Sequence, residues 1–291
     1  MKHLVMFSGG LSSACVLWYI HQKYPAKTIA LFTDTLIEDD DLYRFNLEII
    51  QRLYKPELKE IIFNNLNIPD YSVIEKRKKY LEYLRLKHTK FISEFKWLSL
   101  QQTPFDIFQK EKLMGNSLFD PCSKILKRSL ALKYIKLNYR PNNVRIYIGF
   151  DHDEPNRINK SKNYWQPYRV DFPLAVFPYI YEEFTQWLVQ NNIEIPQLYK
   201  KGFSHNNCGG FCVKAGQKQF FELHENYPER YEQFSQMELQ TYQKIGTIHP
   251  FIKKQKKNVI EYLTMKQFKE KYMQQNDTID NSDDHSCSCF L

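Results

Sequence analysis

Glycine is scarce in this sequence, with nine residues in 291. That scarcity excludes collagen-like repeats and glycine-rich low-complexity chains. Cysteine numbers only six, too few over this length for a small disulfide-stapled scaffold. No apolar run approaches the ~20 residues that cross a bilayer, and no internal repeat occurs. Neither Gly-x-Gly-x-x-Gly nor a Walker loop ending in Gly-Lys-Ser/Thr is present. The apolar stretch after Met1-Lys2-His3 is broken by Ser8-Gly9-Gly10-Leu11-Ser12-Ser13, which suits a strand, a turn and a helix better than a signal peptide. The expectation is a cytoplasmic protein without a membrane segment, its cysteines reduced.

What is present is ordinary in bulk and uneven in placement. Hydrophobic residues at 43% and charged ones at 25% predict a globular fold of one or two domains with a sizeable core. A formal net charge of +8 favours anionic partners such as nucleotides or nucleic acid. The 20 Tyr and 21 Phe read mostly as core or half-buried surface. Four of the nine glycines form two pairs, Gly9–Gly10 and Gly209–Gly210, and four cysteines fall in two short segments, Cys208/Cys212 and Cys287/Cys289.

The apolar pattern predicts alternating elements. Leu4 to Phe7 reads as a buried strand, Leu11 to about Gln22 as a helix, and Thr28 to Phe32 as a second strand. A helix from about Asp40 to Tyr54 carries Leu42, Phe45, Ile49 and Leu53 at three-to-four spacing. Ile61 to Phe63 reads as a third strand, Ser123 to about Asn138 as a helix, and Val144 to Ile148 as a fourth strand. This order predicts an α/β fold, a doubly wound and mostly parallel sheet of Rossmann-like type. From Pro178 the chain reads as largely helical. In such sheets ligands bind at the carboxyl edge, where the glycine loop and Gly149-Phe150-Asp151-His152 would both lie. Tyr71 to about Lys112 reads as a helical insert with a basic run, Lys76-Arg77-Lys78-Lys79, followed by Arg85, Lys87 and Lys90. A solvated helical face is the plain reading of that run; contact with RNA or DNA is the sharper one, helped by Tyr80, Tyr83 and Phe91.

Ser8-Gly9-Gly10-Leu11-Ser12-Ser13 joins the first strand to the first helix. Its glycines allow close approach, its amides and the helix N-terminus offer donors to a phosphate, and Ser12 and Ser13 add hydroxyls. The loop resembles the pyrophosphate loop, SGG-x-x-S, of the adenine nucleotide alpha-hydrolase superfamily, with Ser12 where an acidic residue is usual. Thr33-Asp34-Thr35 with Glu38 is similar to a segment of the phosphoadenosine phosphosulfate (PAPS) reductase-like branch. So are Asp120-Pro121-Cys122-Ser123-Lys124 leading to Lys127-Arg128, and Gly149 to Arg157. Gly202 to Cys212 and the Cys-x-Cys-Phe tail resemble a bacterial and phage subgroup of it.

The resemblance implies a HUP-type nucleotide-binding domain over residues 1–177, with the basic insert at about 71–112, followed by a helical, cysteine-containing region over 178–291. It implies ATP, or PAPS, bound with Mg²⁺. The residues matched to nucleotide binding are Ser8, Gly9, Gly10, Ser12, Ser13, Asp34, Lys127, Arg128 and Arg157. Lys127, Arg128 and Arg157 are the candidate phosphate clamps, with plain surface charge as their alternative. Asp34 would hold a ribose, a base edge or Mg²⁺, with a structural capping role as its alternative. Departures weigh against phosphosulfate reduction itself. Those reductases usually lack the SGG loop, Asp151 stands where they carry an Arg, and the tail here is Ser-Cys-Ser-Cys-Phe-Leu.

Cys15, on an apolar helical face, reads as a core residue. Cys208-x₃-Cys212, preceded by His205, has the spacing of metal-ligating thiolates. Three readings stay open: a Zn²⁺ or [4Fe-4S] site built from Cys122, Cys208, Cys212 and a tail cysteine, Cys289; redox-active thiols brought in by the tail; or buried, incidental cysteines. The functional expectation is an ATP pyrophosphatase that adenylates an acceptor, in sulfur transfer or in nucleoside or nucleic-acid modification. A sulfonucleotide reductase using tail thiols and a non-enzymatic nucleotide- or nucleic-acid-binding module are the alternatives. Oligomeric state is not readable from the sequence.

Overall fold

In the computed structural model, residues 1–58, 66–116, 119–256 and 259–273 are described. The first strand, β1 (Lys2–Met6), is apolar on both faces because both faces are covered. The Gly10-capped helix α1 (Leu11–Lys23) follows, then β2 (Thr28–Asp34) and α2 (Asp40–Tyr54). Asp39 starts α2 by accepting from the Asp41 N–H, and Asp40 and Asp41 lie in its first turn, where carboxylates suit the helix dipole. Next come α3 (Ile74–Phe91), β3 (Phe95–Ser99) and α4 (Pro104–Glu111), the last begun by a Thr103/Asp106 capping box. A π-helical turn, Ser123–Ser129, runs into α5 (Leu130–Asn138), followed by β4 (Val144–Tyr147), α6 (Pro155–Tyr164) and β5 (Arg169–Asp171). The remainder comprises α7 (Pro173–Val176), α8 (Ile180–Gln190), α9 (Gln197–Lys200), α10 (Gln217–Asn226) and α11 (Pro228–Ile245). A hairpin of β6 (Ile252–Lys256) and β7 (Val259–Leu263) precedes α12 (Met265–Phe268).

The five strands β1 to β5 pair in parallel in the order β3-β2-β1-β4-β5. The side-chain alternation of β1 divides two cores. Val5 and Phe7 pack with α1, α2 and α8, whereas Leu4 and Met6 pack with α5, Trp165 and Phe172. The α/β expectation, with a parallel sheet covered on both faces, therefore holds. α1 is buried continuously from Ser13 to Ile20 because it lies between the sheet and α8, which is why its sequence shows little amphipathic pattern. A third core joins α4 to α10, α11 and the hairpin through Phe105, Phe108, Phe220, Phe234 and Phe251.

Two expectations change. The Tyr71–Lys112 segment is not one helical insert: β3 runs through it and forms an edge of the sheet, and α4 packs on the C-terminal helices. β5, three residues long, supplies the other edge. The region after Pro178 is helical apart from the β6–β7 hairpin. The strand expected at Ile61–Phe63 lies outside the described residues. Among those residues no helix is long and apolar enough to cross a membrane.

Candidate active site

The chain leaves β1 for β2 on one side and returns to β1's other side as β4. The ends of β1 and β4 therefore form the switch point of the sheet, the place where open α/β sheets bind ligands. A cavity of about 360 Å³ opens there, lined by Ser8, Gly10, Leu11 and Ser12 from the glycine loop and by Gly149 and Arg157 from the β4–α6 segment. The far wall comes from Tyr181, Tyr199, Ser204, His205 and Asn207.

Two glycines make this approach possible. Gly9 has φ +88°, and a Cβ there would sit 2.6 Å from Leu42 Cγ and 2.9 Å from Asn46 Oδ1. At Gly149 a Cβ would lie 2.8 Å from the backbone of Ser12, so β4 can end against the loop only without a side chain. The expectation that both segments share one edge is borne out by this contact.

Within the loop, Ser13 Oγ accepts from the Ser8 N–H at 3.1 Å and donates to the Gly10 carbonyl at 2.8 Å. Ser13 thus shapes the loop, while half-buried Ser12 lines the cavity. The Leu11 N–H, one of the donors an α-helix leaves unpaired at its start, points at the Tyr199 hydroxyl 3.3 Å away. Asn206 Nδ2 donates to the Gly9 carbonyl at 3.2 Å. Asn46, buried beside Gly9, has neither amide atom in a hydrogen bond among the described residues.

Asp34 does not face this cavity. It is 1% exposed, and its carboxylate accepts from the Leu36 N–H (2.7 Å), the Tyr43 hydroxyl (2.7 Å) and Trp97 Nε1 (2.9 Å). Burial pushes its pKa up to about 6, against the opposing pull of those donors. Nor does it cap a helix, since Asp39 caps α2: Asp34 ties β2, α2 and β3 together.

Lys127 is also turned inward. Its ammonium lies 3.0 Å from Glu38, with both side chains almost wholly buried. Glu38 accepts further from Thr35 Oγ1 at 2.9 Å and from the Cys208 N–H. The loop carrying Glu38 is itself clamped. Arg77, fully buried, donates to the carbonyls of Leu36, Glu38 and Pro69 and pairs with Asp40 at 2.7 Å. Arg230 pairs with Asp39 at 2.6 Å and reaches the Gly209 carbonyl.

Of the other two clamps, Arg128 pairs with Asp120 at 3.3 Å, away from the glycine loop. Arg157 lines the glycine-loop cavity, paired with Glu154 and with its guanidinium 4.2 Å from the Phe150 ring centroid. The structure therefore brings Ser8, Gly9, Gly10, Ser12, Ser13 and Arg157 together and leaves Asp34, Lys127 and Arg128 out.

Cys122, Cys208 and Cys212 do converge, on a small cavity of about 30 Å³ that they line with Thr35, Asp120 and Lys127. Burial raises the Cys122 thiol well above its ordinary range, and the neighbouring Cys212 and Asp120 charges raise it further, so it stands protonated at neutral pH. Three thiols suit a thiophilic metal. However, among the described residues no three His, Cys, Asp or Glu side chains are placed to hold an ion. The described residues alone therefore do not complete the expected zinc or cluster site, and Cys287 and Cys289 lie outside the described residues. Cys15 is the core residue expected: fully buried, its thiol is pushed up to about 12 by burial.

Three of the seven cations in the α3 run are committed within the fold. Arg77 is a core clamp, Lys78 pairs with Glu75 and Asp106, and Arg85 pairs with Glu82. Lys76, Lys79, Lys87 and Lys90 remain on the surface. Tyr181 and Tyr199 carry no motif and had no sequence signal. Asn206 and Asn207 lie in the Gly202–Cys212 segment, whose sequence signal is its cysteine spacing; His205, expected beside the thiols, lines the glycine-loop cavity instead. No protein-family model, no curated protein and no solved structure matches this chain.

Proposed function

We propose that this protein is a cytoplasmic ATP pyrophosphatase of HUP type, similar to the PAPS reductase-like branch, that adenylates an acceptor in nucleoside or nucleic-acid modification. The observation that carries the reading is the glycine-loop cavity at the sheet's switch point, walled by the start of α1 and by Arg157. ATP would lie with its β- and γ-phosphates on the loop amides, where the partial positive charge at the start of α1 favours anions. The Leu11 N–H would pass from the Tyr199 hydroxyl to a phosphate oxygen. Ser12 and Arg157 supply further donors, and Mg²⁺ would arrive with the triphosphate.

An acceptor oxygen would then attack the α-phosphorus. The new O–P bond forms as the bond to the β-phosphate oxygen breaks, and pyrophosphate leaves with the electron pair. Catalysis of this kind rests on alignment and charge neutralisation, which a pre-shaped loop and a guanidinium held by Glu154 can provide. The segment that lines the cavity with Ser204, His205 and Asn207 also carries Cys208 and Cys212 to the thiol cavity. Those thiols would serve the second stage. A persulfide formed on one of them by a persulfide-class donor would attack the acceptor carbon through its terminal sulfur as the acceptor oxygen leaves with AMP. A second thiol would then attack the inner sulfur, breaking the S–S bond to leave the sulfur on the acceptor and a disulfide between the two cysteines, which an external thiol reductant reopens.

Product analysis tests the first stage. With total RNA or denatured DNA as acceptor, labelled ATP is expected to yield pyrophosphate and an adenylated acceptor, with AMP released once a persulfide donor is added, and Arg157→Ala is expected to lower the pyrophosphate yield by about 10²-fold. ADP and orthophosphate as products, or no binding of ATP, would exclude the reading.

A further inference from the structure

Away from the glycine loop, a groove of about 530 Å³ runs along the β5 edge of the sheet, between the end of α1, β4, α6 and α7. Its charged lining is one-sided: Lys23, Arg145, Lys162 and Arg169 against the single carboxylate Asp171. Asp171 lies 3.3 Å from Arg145 and 3.5 Å from Arg169. One acid thus holds two guanidiniums in place without cancelling the charge.

Rings alternate with these cations. Tyr24 and Phe177 line the groove and are 40% and 38% exposed, and Tyr179 continues the patch at 56%. Tyr24 is pre-oriented, stacked on His3 with 3.8 Å between centroids and 8° between planes. His3 is held in turn by a 2.7 Å hydrogen bond to Tyr147. Burial and then the charge of Arg145 lower the His3 pKa, so the imidazole beneath Tyr24 is neutral. Lys23 lies over the rings of Tyr19 and Phe177.

The groove also leads somewhere. Helix α6 presents Arg157 to the glycine-loop cavity and Ile158 and Lys162 to the groove. Phe150, on the cavity wall, stacks on Phe172, on the groove wall, at 5.8 Å and 11°.

We infer that this groove binds single-stranded nucleic acid, its cations meeting the phosphates and its exposed rings taking unstacked bases. Cations interleaved with accessible, pre-oriented rings are what a single strand uses; a duplex shows its phosphates but hides its base faces, and an anionic lipid surface has no flat partner for the rings. The partner class rests on the groove alone. That the strand delivers its nucleoside past α6 to the glycine loop rests on the proposed function. This places the nucleic-acid contact on the β5 edge, where cations and exposed rings line one groove, rather than on α3, where Lys76, Lys79, Lys87 and Lys90 are exposed but, among the described residues, line no such groove with rings.

Fluorescence anisotropy on the full chain tests this, with a short labelled single strand, a duplex of the same length and phosphatidylserine-containing vesicles as probes. The single strand is expected to bind best, with an affinity that falls steeply with salt. The double variant Lys162→Glu/Arg169→Glu, both side chains exposed, is expected to weaken it about tenfold or more and to flatten the salt slope by about two. Phe177→Ala should weaken binding and leave the salt slope alone, as lost stacking requires. Lys76→Glu/Lys79→Glu on α3 should change little. Preference for duplex or vesicles, no binding, or equal loss from the α3 variant would overturn the inference. ATP binding, followed in the same variants, separates the two claims. ATP bound with no strand binding removes the groove and spares the nucleotide site, and strand binding lost on groove mutation without any ATP binding does the reverse.

Discussion

Asp34 ends β2 at the edge of the sheet where ligands bind, yet three internal donors occupy its carboxylate. A buried carboxylate is stable here only because those donors offset part of its desolvation, and its pKa still stands at about 6. The sign of the linkage follows. The folded state holds the proton more tightly than the unfolded chain, so the stabilisation is complete below about pH 4 and is lost as pH rises through about 6. The shift corresponds to roughly 2–3 kcal/mol. Urea midpoints measured across that window should therefore fall with rising pH, and Asp34→Asn should remove the Asp34 share of the slope at the expense of the Trp97 bond, leaving the share of Glu238, which burial pushes up to about 7. An unchanged slope in the variant would assign it to another group. The sequence places this aspartate at a strand end but not its partners: Trp97 is 63 positions away, in a strand that no apolar run or turn residue marks.

At the scale of elements, the joint between the β2–α2 loop, the π-helical turn and the Cys208 turn decides how the two halves of the site meet. Glu38 receives Lys127 from the turn, Thr35 from its own loop and the Cys208 N–H from the segment that lines both cavities. Removing one member of a buried pair leaves an uncompensated charge, which costs about 3–5 kcal/mol. Lys127→Met is expected to destabilise by that amount in denaturant unfolding, with the double variant Lys127→Met/Glu38→Gln recovering part of the loss. Strict additivity would show that the two side chains do not act as a pair. The sequence marked Lys127 as a cation near a cysteine and could not show that its charge is used up within the fold.

Whole elements were read unevenly for similar reasons. β1, β2, α2 and β4 were legible because apolar runs or three-to-four spacing mark them. β3 was hidden because Phe95-Lys96-Trp97-Leu98-Ser99 follows a long basic helix with no Gly or Pro to punctuate the change. Its period-two burial shows only once Phe95 and Trp97 face the core. β5 is too short to have a period. Arg77, in the middle of a basic run, gave no hint of being a fully buried clamp.

At the scale of the molecule, the order β3-β2-β1-β4-β5 is what gathers the site. It places the ends of β1 and β4 side by side, and Gly149 lets them touch. The C-terminal helices then close the far wall with Tyr199, Ser204, His205 and Asn207. The glycine loop was legible as a local motif, whereas this wall, assembled from residues nearly two hundred positions away, was not. Hydrogen–deuterium exchange with and without Mg²⁺–ATP addresses the assembled site directly. The expected result is slowed exchange at Ser8–Ala14, Gly149–Arg157 and Ser204–Asn207, with α11 unaffected. Protection confined to other segments, or none at saturating nucleotide, would contradict the assignment of the switch-point cavity to ATP.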